Sequence, residues 1–241
     1  MDLSGRRPKA TPTRFAAQRL SGEEIVDAAI AIADQDGIDA VTMRRVATRL
    51  GSGTMSLYRH IAGREQLLDS MVNAAYTGIE LPPGPSGPWR DDLALLARAQ
   101  RRLMRAHPWL ATLVGSRPPL MPAFLRCFEF ALAALLNAGL EITDASNSAA
   151  SINAFVVGSL LLEQAEQEAR RRTGLSREAW RARNAPLVER IIASGDYPSV
   201  ARFVRDAKDL DADAAFEAAL GRILDGVQAS LPGTRRMPET P

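Results

Sequence analysis

The run TMRRVATRLGSGTMSLYRHI, residues 42–61, decides how the rest of the chain is read. Thr42 is a helix-capping residue, and Met43, Val46, Ala47 and Leu50 follow it at the i, i+3, i+4 and i+7 spacing of one apolar helix face. Gly51 ends that helix where the chain needs a left-handed turn, a conformation open to glycine and costly for other residues. After Ser52 and Gly53, Thr54 is placed to cap a second short helix reaching about His60. Two short helices on so tight a turn make a helix-turn-helix arrangement, with Ala47 small enough to let them approach. Leu57 and Ile61 then face the core, and Thr54, Met55, Ser56, Tyr58, Arg59 and His60 face outward.

That outward face carries hydrogen-bonding groups and no acid, which suits a DNA major groove. Arg59 has the fork that matches guanine, Thr54 and Ser56 reach bases or phosphates, and Met55 offers apolar contact to a thymine methyl. Arg44 and Arg45 on the preceding helix are placed for a base edge or the backbone. The acids Glu23, Glu24, Asp27, Asp34, Asp36 and Asp39 lie just upstream, so that surface is expected to point away from phosphate. The plainer alternative is a helical hairpin with a solvated basic face, in which His60 is a capping or core histidine.

Working outward, Ser21 and Glu24 form a capping box flanked by Leu20 and Ile25, so a first helix runs from about Gly22 to Gln35 and stops at Gly37. A fourth helix opens at Gly63 and carries Leu67, Leu68, Met71, Val72 and Ala75. The run LPPGPSGP, residues 81–88, breaks the chain. Beyond it the apolar spacing predicts helices at about Trp89 to Ala106, after Pro108, Pro122 to Ala138, Asp144 to Arg172, Ser176 to Ala193 and Asp211 to Ser230. Strand patterns are missing, so the fold class is all-α. The expected organisation is a flexible basic arm (1–20), a three-helix helix-turn-helix domain with a connecting fourth helix (21–79), a Pro/Gly linker (80–88), a larger helical domain (89–231) and a tail (232–241). The arm holds Arg6, Arg7, Lys9, Arg14 and Arg19, and either enters a minor groove or stays disordered.

Composition narrows the function classes. The 241 residues are 46% hydrophobic and 24% charged with a net charge of +2, which fits one or two folded domains and argues against a disordered or polybasic protein. Cys127 is the single cysteine, so neither an internal disulfide nor a thiolate zinc site is expected. It reads as a buried inert thiol, with a redox sensor as the alternative. No apolar run reads as a membrane span and no signal segment is apparent, so a cytoplasmic location without membrane attachment is expected. An enzyme is the rival class. Two histidines and one cysteine leave few catalytic constellations, no phosphate loop or metal-spaced histidine pair is seen, and Glu163 with Glu166 or Glu168 is a weak carboxylate pair. No catalytic residue, cofactor or metal is expected.

The run from Thr42 to Ile61, followed by Arg64-Glu65-Gln66-Leu67-Leu68, resembles the DNA-binding domain of tetracycline-repressor-type (TetR family) regulators, with Leu57-Tyr58-Arg59-His60 as its specific part. Coverage is best from about Ile25 to Tyr76. It is weaker in the second region, through Trp89-Arg90, His107-Pro108-Trp109, Arg117-Pro118 and Gly158. The resemblance implies a dimeric bacterial repressor that leaves a palindromic operator in double-stranded DNA when a small molecule binds the second domain. It implies that Thr42, Tyr58 and Arg64 hold phosphates, that Arg44 reaches a base, and that Thr54, Met55, Ser56, Arg59 and His60 read or flank the operator. Gly63 and Ala62 depart from the family's usual cap and lysine, so weaker backbone anchoring is expected at that corner. Aligned on Arg117-Pro118, Leu113 stands where the tetracycline repressor has a metal-coordinating histidine, which argues against tetracycline as the ligand.

Two further expectations concern the second domain. The stretch from Ile152 to Leu162 is apolar around most of its circumference, so Ile152, Val156 and Leu160 are expected to meet a homodimer partner. Phe216, Leu220, Ile223, Leu224 and Val227 would join them in a four-helix interface. Met104, His107, Trp109, Leu113, Met121, Phe124, Phe128, Asn153, Phe155 and Leu162 are the candidates for an effector pocket, although such residues fill ordinary cores too. A DNA-binding architectural protein without effector is the remaining alternative.

Overall fold

The computed structural model describes residues 20–114 and 120–232, and among them every regular element is helical. The arm over residues 1–19, the Arg117-Pro118 pair and the tail from residue 233 lie outside the described residues. Helix α1 (Gly22–Asp36) starts at the expected capping box. Ser21 Oγ accepts from the Glu24 amide at 3.1 Å, and the Glu24 carboxylate accepts from the Ser21 amide at 2.8 Å. A 3-10 turn at Ile38–Ala40 leads to α2 (Met43–Arg49), where Thr42 Oγ1 accepts from the Arg45 amide at 3.2 Å. At the end of α2 the Ser52 amide reaches Ala47 O at 2.9 Å and the Gly51 amide reaches Thr48 O at 3.1 Å, a Schellman closure. Gly51 adopts φ +61° to make it, as the sequence requires.

Helix α3 is shorter than expected, spanning Thr54–Leu57, with Gly53 rather than Thr54 at the capping position and no side-chain cap. It closes early because the amides of both His60 and Ile61 turn onto Leu57 O, at 2.9 and 3.0 Å, and this brings Leu57 and Ile61 together into the core. Helix α4 (Arg64–Thr77) follows after Gly63. It packs on α1 through Leu67, Met71, Val72 and Ala75, so the first four helices bury a common apolar centre with Ile25, Ala29, Ile32, Val46 and Ala47.

The second region comprises α5 (Trp89–Ala106), α6 (Trp109–Val114), α7 (Pro122–Asn137), α8 (Ile142–Thr173), α9 (Arg177–Ala193), α10 (Pro198–Asp206) and α11 (Ala212–Ser230). Helices α5, α7 and α8 pack on one another, α11 lies along α8, and α7 also packs on α4, so a continuous core joins the two regions. Helix α8 is, by length and composition, long and apolar enough to cross a membrane, contrary to the expectation from sequence. Its apolar face, Ala145, Ala149, Ile152, Val156, Val157 and Leu160, is buried in the core, and its C-terminal half carries Glu163, Glu166 and Arg170. Helix α10 was not anticipated. Its neighbour α9 buries no side chain and α10 buries only Ala201, so the pair forms an arm beside the core.

The expected dimer stripe needs correction. Ile152, Val156 and Leu160 of α8, with Phe216, Leu220, Leu224 and Val227 of α11, are buried within the single chain. They form part of the seam of α11 on α8 and the core behind it, because a helix pair this apolar must first cover itself. Ile223 alone of that set stays partly exposed. The exposed and half-buried faces of these two helices carry Ser151, Ala154, Gly158 and Leu161 on α8 and Ala219, Arg222 and Gly226 on α11.

Candidate nucleic-acid interface and effector cavity

The helix-turn-helix presents its candidate residues on one exposed surface. Thr42, Arg44, Arg45, Met55, Tyr58, Arg59 and His60 are exposed, Met55 at 75%, while Thr54 and Ser56 are half-buried. Arg59 Nη2 donates to Ser56 Oγ at 3.1 Å, which pre-positions the guanidinium over the first turn of α3. Arg44 is exposed, whereas Arg45 pairs with Asp36 at the end of α1. Arg64 departs from a purely phosphate-holding role. Its Nε donates to Val41 O at 2.9 Å and its Nη2 to Ile38 O at 3.2 Å, so it ties the start of α4 to the turn before α2. The corner at Gly63 is anchored by a residue the sequence reading passed over: the Gln66 side chain accepts from the Ala62 amide.

The upstream acids are not a uniform repelled surface. Glu24 caps α1, Asp36 holds Arg45, and Asp34 reaches across to the second region. Asp34 Oδ1 accepts from Trp109 Nε1 at 2.7 Å and lies 2.8 Å from His107 Nδ1. His107 and Trp109 therefore join α1 to the start of α6 and line neither of the two concavities beside α8.

Two concavities divide most of the remaining pocket candidates. The larger, about 920 Å³, is an open groove along α8, α9 and α11 that includes Met104, Phe155 and Leu162. Phe155 stacks on Phe216 at 5.1 Å there, and the charges around the groove pair with one another, Arg105 with Glu163 and Arg177 with Glu166. The smaller, about 320 Å³, lies among α5, α7 and α8 and includes Phe124, Phe128 and Asn153. Leu93, Leu96 and Gln100 of α5 form its opposite wall, with Val114, Cys127, Ala149 and Ile152 completing it. Leu113 and Met121 are half-buried against the core and line neither space. Gln100 was legible in principle, as a polar residue set into the apolar stripe Leu93, Leu96, Ala97 and Met104.

The smaller cavity is mechanically tied to α4. Phe124, on its wall, packs edge to face on Tyr76 of α4 with ring centroids 5.3 Å apart. On either side of Phe124, α7 grips α4 through polar contacts. The Ala123 amide donates to Asn73 Oδ1 at 3.1 Å, and Arg126 Nη2 donates to Ile79 O at 2.8 Å and Tyr76 O at 3.3 Å, capping the helix. Burial pushes the Tyr76 hydroxyl and the Cys127 thiol above their ordinary pKa values, so both stay neutral at physiological pH.

Residues 25–71 match the family model described as bacterial regulatory proteins, tetR family, and residues 81–231 match the one described as tetracyclin repressor-like, C-terminal domain. The HTH-type transcriptional repressor DrrR1 of Streptomyces coeruleorubidus is 39% identical over 227 residues, covering 93% of this chain and 82% of the repressor. Apo ActR from Streptomyces coelicolor superimposes with a TM-score of 0.77 at 27% identity, over 89% of this chain and 98% of ActR. ActR in complex with actinorhodin gives a TM-score of 0.76 at 28% identity, over 90% and 99% of the two chains.

Proposed function

The chain belongs to the tetR family of bacterial regulatory proteins and is a DNA-binding transcriptional regulator, and we propose that it is a homodimeric repressor released from a palindromic operator by a small-molecule effector. We assign the reader to residues 21–79, joined by the linker 80–88 to an effector-binding and dimerisation unit at 89–231, all working in the cytoplasm. Within the reader, Arg59 reads a base edge with Met55, Ser56, Thr54 and His60 around it, Arg44 reaches a base from α2, and Thr42 and Tyr58 hold phosphates. Arg45 and Arg64 support the reader through Asp36 and the Val41 and Ile38 carbonyls, and present their remaining N–H groups to the backbone.

The observation that carries the effector reading is the linkage of the α5–α7–α8 cavity to α4 through Phe124 against Tyr76, with Asn73 and Arg126 on either side. A ligand that prefers a shifted α7 also prefers a shifted α4, and in a dimer that shift changes the separation of the two α3 helices. The partner is assigned to the outward faces of α8 and α11, around Ala154, Gly158, Leu161, Ala219, Arg222 and Ile223, where Ala154, Gly158 and Ala219 are small enough to permit close helix packing. A two-fold pair of readers then fits half-sites about one helical turn apart.

The test is selection from a random duplex library, followed by anisotropy on the selected site against a scrambled duplex over a salt series, with sedimentation to count protomers. A palindromic site bound at least about a thousandfold tighter than the scramble by a dimer supports the reading. Equal binding of both duplexes with a steep salt slope makes the protein an architectural DNA binder instead.

A further inference from the structure

The cavity among α5, α7 and α8 has a chemical signature that limits what it accepts. Among the described residues that line it none carries a formal charge, and most of its wall is aliphatic or aromatic, with Phe124 and Phe128 one helical turn apart on α7. Two amides interrupt the apolar wall. Gln100 on α5 is only 5% exposed and lines the cavity. On α8, the Oδ1 atom of Asn153 is fully buried and has no hydrogen-bond partner among the described residues. Buried polar groups are almost always hydrogen-bonded in folded proteins, so the unpartnered Asn153 oxygen, with the Gln100 amide on the same small cavity, marks where a ligand completes the set. A charged ligand would leave water and find no countercharge on this wall, whereas a neutral hydroxyl both donates and accepts and so satisfies an amide in either orientation. At about 320 Å³ the space is at the small end of the ~300–1,000 Å³ usual for small-molecule sites.

On the reading that this cavity is the regulatory site, we propose that the effector is an uncharged, largely apolar small molecule carrying a hydroxyl that pairs with Gln100 and Asn153. Cys127, the single cysteine, lines the same cavity and supplies a location readout, since an occupant shields it.

The experiment measures binding of 2-naphthol, naphthalene and naphthalene-2-sulfonate to the full chain and to the Asn153→Leu and Gln100→Leu variants. The rate at which Cys127 reacts with methyl methanethiosulfonate is followed in parallel, and operator affinity is measured with each compound. The expected result is that 2-naphthol binds about tenfold tighter than naphthalene, the worth of one good hydrogen bond, and tighter still than the sulfonate. That advantage shrinks in at least one amide variant while naphthalene binding holds, and bound 2-naphthol slows the Cys127 reaction. Equal binding of the sulfonate, a hydroxyl advantage kept by both variants, an unchanged Cys127 rate, or no binding of 2-naphthol would overturn the proposal. If 2-naphthol binds as expected and operator affinity does not fall, the ligand class stands and effector release fails. If only the sulfonate binds and displaces the operator, the release reading stands and the ligand class fails.

Discussion

The ring of Phe124 stands edge-on to that of Tyr76, with planes inclined by 62°, so a side chain on the cavity wall touches the helix that carries the DNA reader. Tyr76 is fully buried and its hydroxyl has no hydrogen-bond partner among the described residues. Two consequences separate here. Tyr76→Phe removes an unsatisfied hydroxyl and keeps the ring contact, so it should raise unfolding stability by about 1–3 kcal/mol with effector response unchanged. Phe124→Leu keeps an apolar wall but loses the ring contact, so more effector is needed to release the operator. Urea unfolding and an effector titration of the operator complex check the pair; a lower urea midpoint for Tyr76→Phe would mean that the hydroxyl has a partner in solution.

The two arginines at the reader should fail in different ways. Arg59→Ala is expected to lose about 1–3 kcal/mol of operator binding and to relax specificity at one base position. Arg64→Ala weakens binding to all duplexes and also lowers unfolding stability by about 1 kcal/mol, because the Val41 carbonyl loses its side-chain donor and the Ile38 carbonyl keeps only the Val41 amide. Binding to operator and scrambled duplexes, with urea unfolding of both variants, distinguishes the roles. Equal losses on both duplexes for Arg59→Ala would remove it from base reading, and unaltered stability of Arg64→Ala would return that residue to simple phosphate contact.

Much of this fold was readable because its helix ends are written in local chemistry. The Ser21–Glu24 box, the Thr42 cap and the Gly51 closure each depend on residues within a few positions of one another, and they stand where the sequence placed them. The dimer stripe was misplaced for a complementary reason. Periodicity identifies that Val156 and Leu220 face something apolar, but not whether that neighbour is another helix of the same chain. The cavity was half legible: Phe124, Phe128 and Asn153 were marked by size and type, while Leu93, Leu96 and Gln100 became its wall only through the packing of α5 against α7 and α8. Asp34 read as one acid among six, and its partners His107 and Trp109 lie more than seventy positions away, beyond any local signal.

A charged cluster in the second region sets an acid limit on stability. Arg101, which is 6% exposed, donates to Glu163 at 2.7 Å and to Ala212 O at 2.8 Å and stacks over Phe216, while Arg105 donates to Glu163 at 2.9 Å and Asp213 at 2.8 Å. Burial works against the Glu163 charge, but the guanidiniums of Arg105 and Arg101 prevail and hold its carboxyl below the ordinary 4.5. Asp213 is likewise held down, first by Arg105. A carboxyl with a lowered folded pKa contributes stability that is present above its unfolded pKa and lost as pH falls through the folded value. The urea midpoint should therefore hold from neutral pH to about pH 5 and decline below it. Glu163→Gln should be less stable at pH 7, because Arg101 keeps its burial and loses a countercharge, and its acid decline should be shallower. Parallel pH profiles for the two proteins would contradict this assignment.

The contact of Asp34 with Trp109 joins α1 to α6 and involves none of the residues of the α4–α7 contacts. Trp109 is 4% exposed, so removing its acceptor leaves a buried indole N–H without a partner. Asp34→Ala should lower stability by about 1–3 kcal/mol, and Asp34→Asn, which keeps an acceptor oxygen, should recover most of it. Because the contact crosses between the first four helices and the second region, its loss also frees α1 from α6. Operator affinity measured without effector should then fall in Asp34→Ala even at temperatures where the variant is fully folded. Folded protein with wild-type operator affinity would show that the contact stabilises the chain without positioning the reader, and would leave the α4–α7 side as the sole route from cavity to DNA.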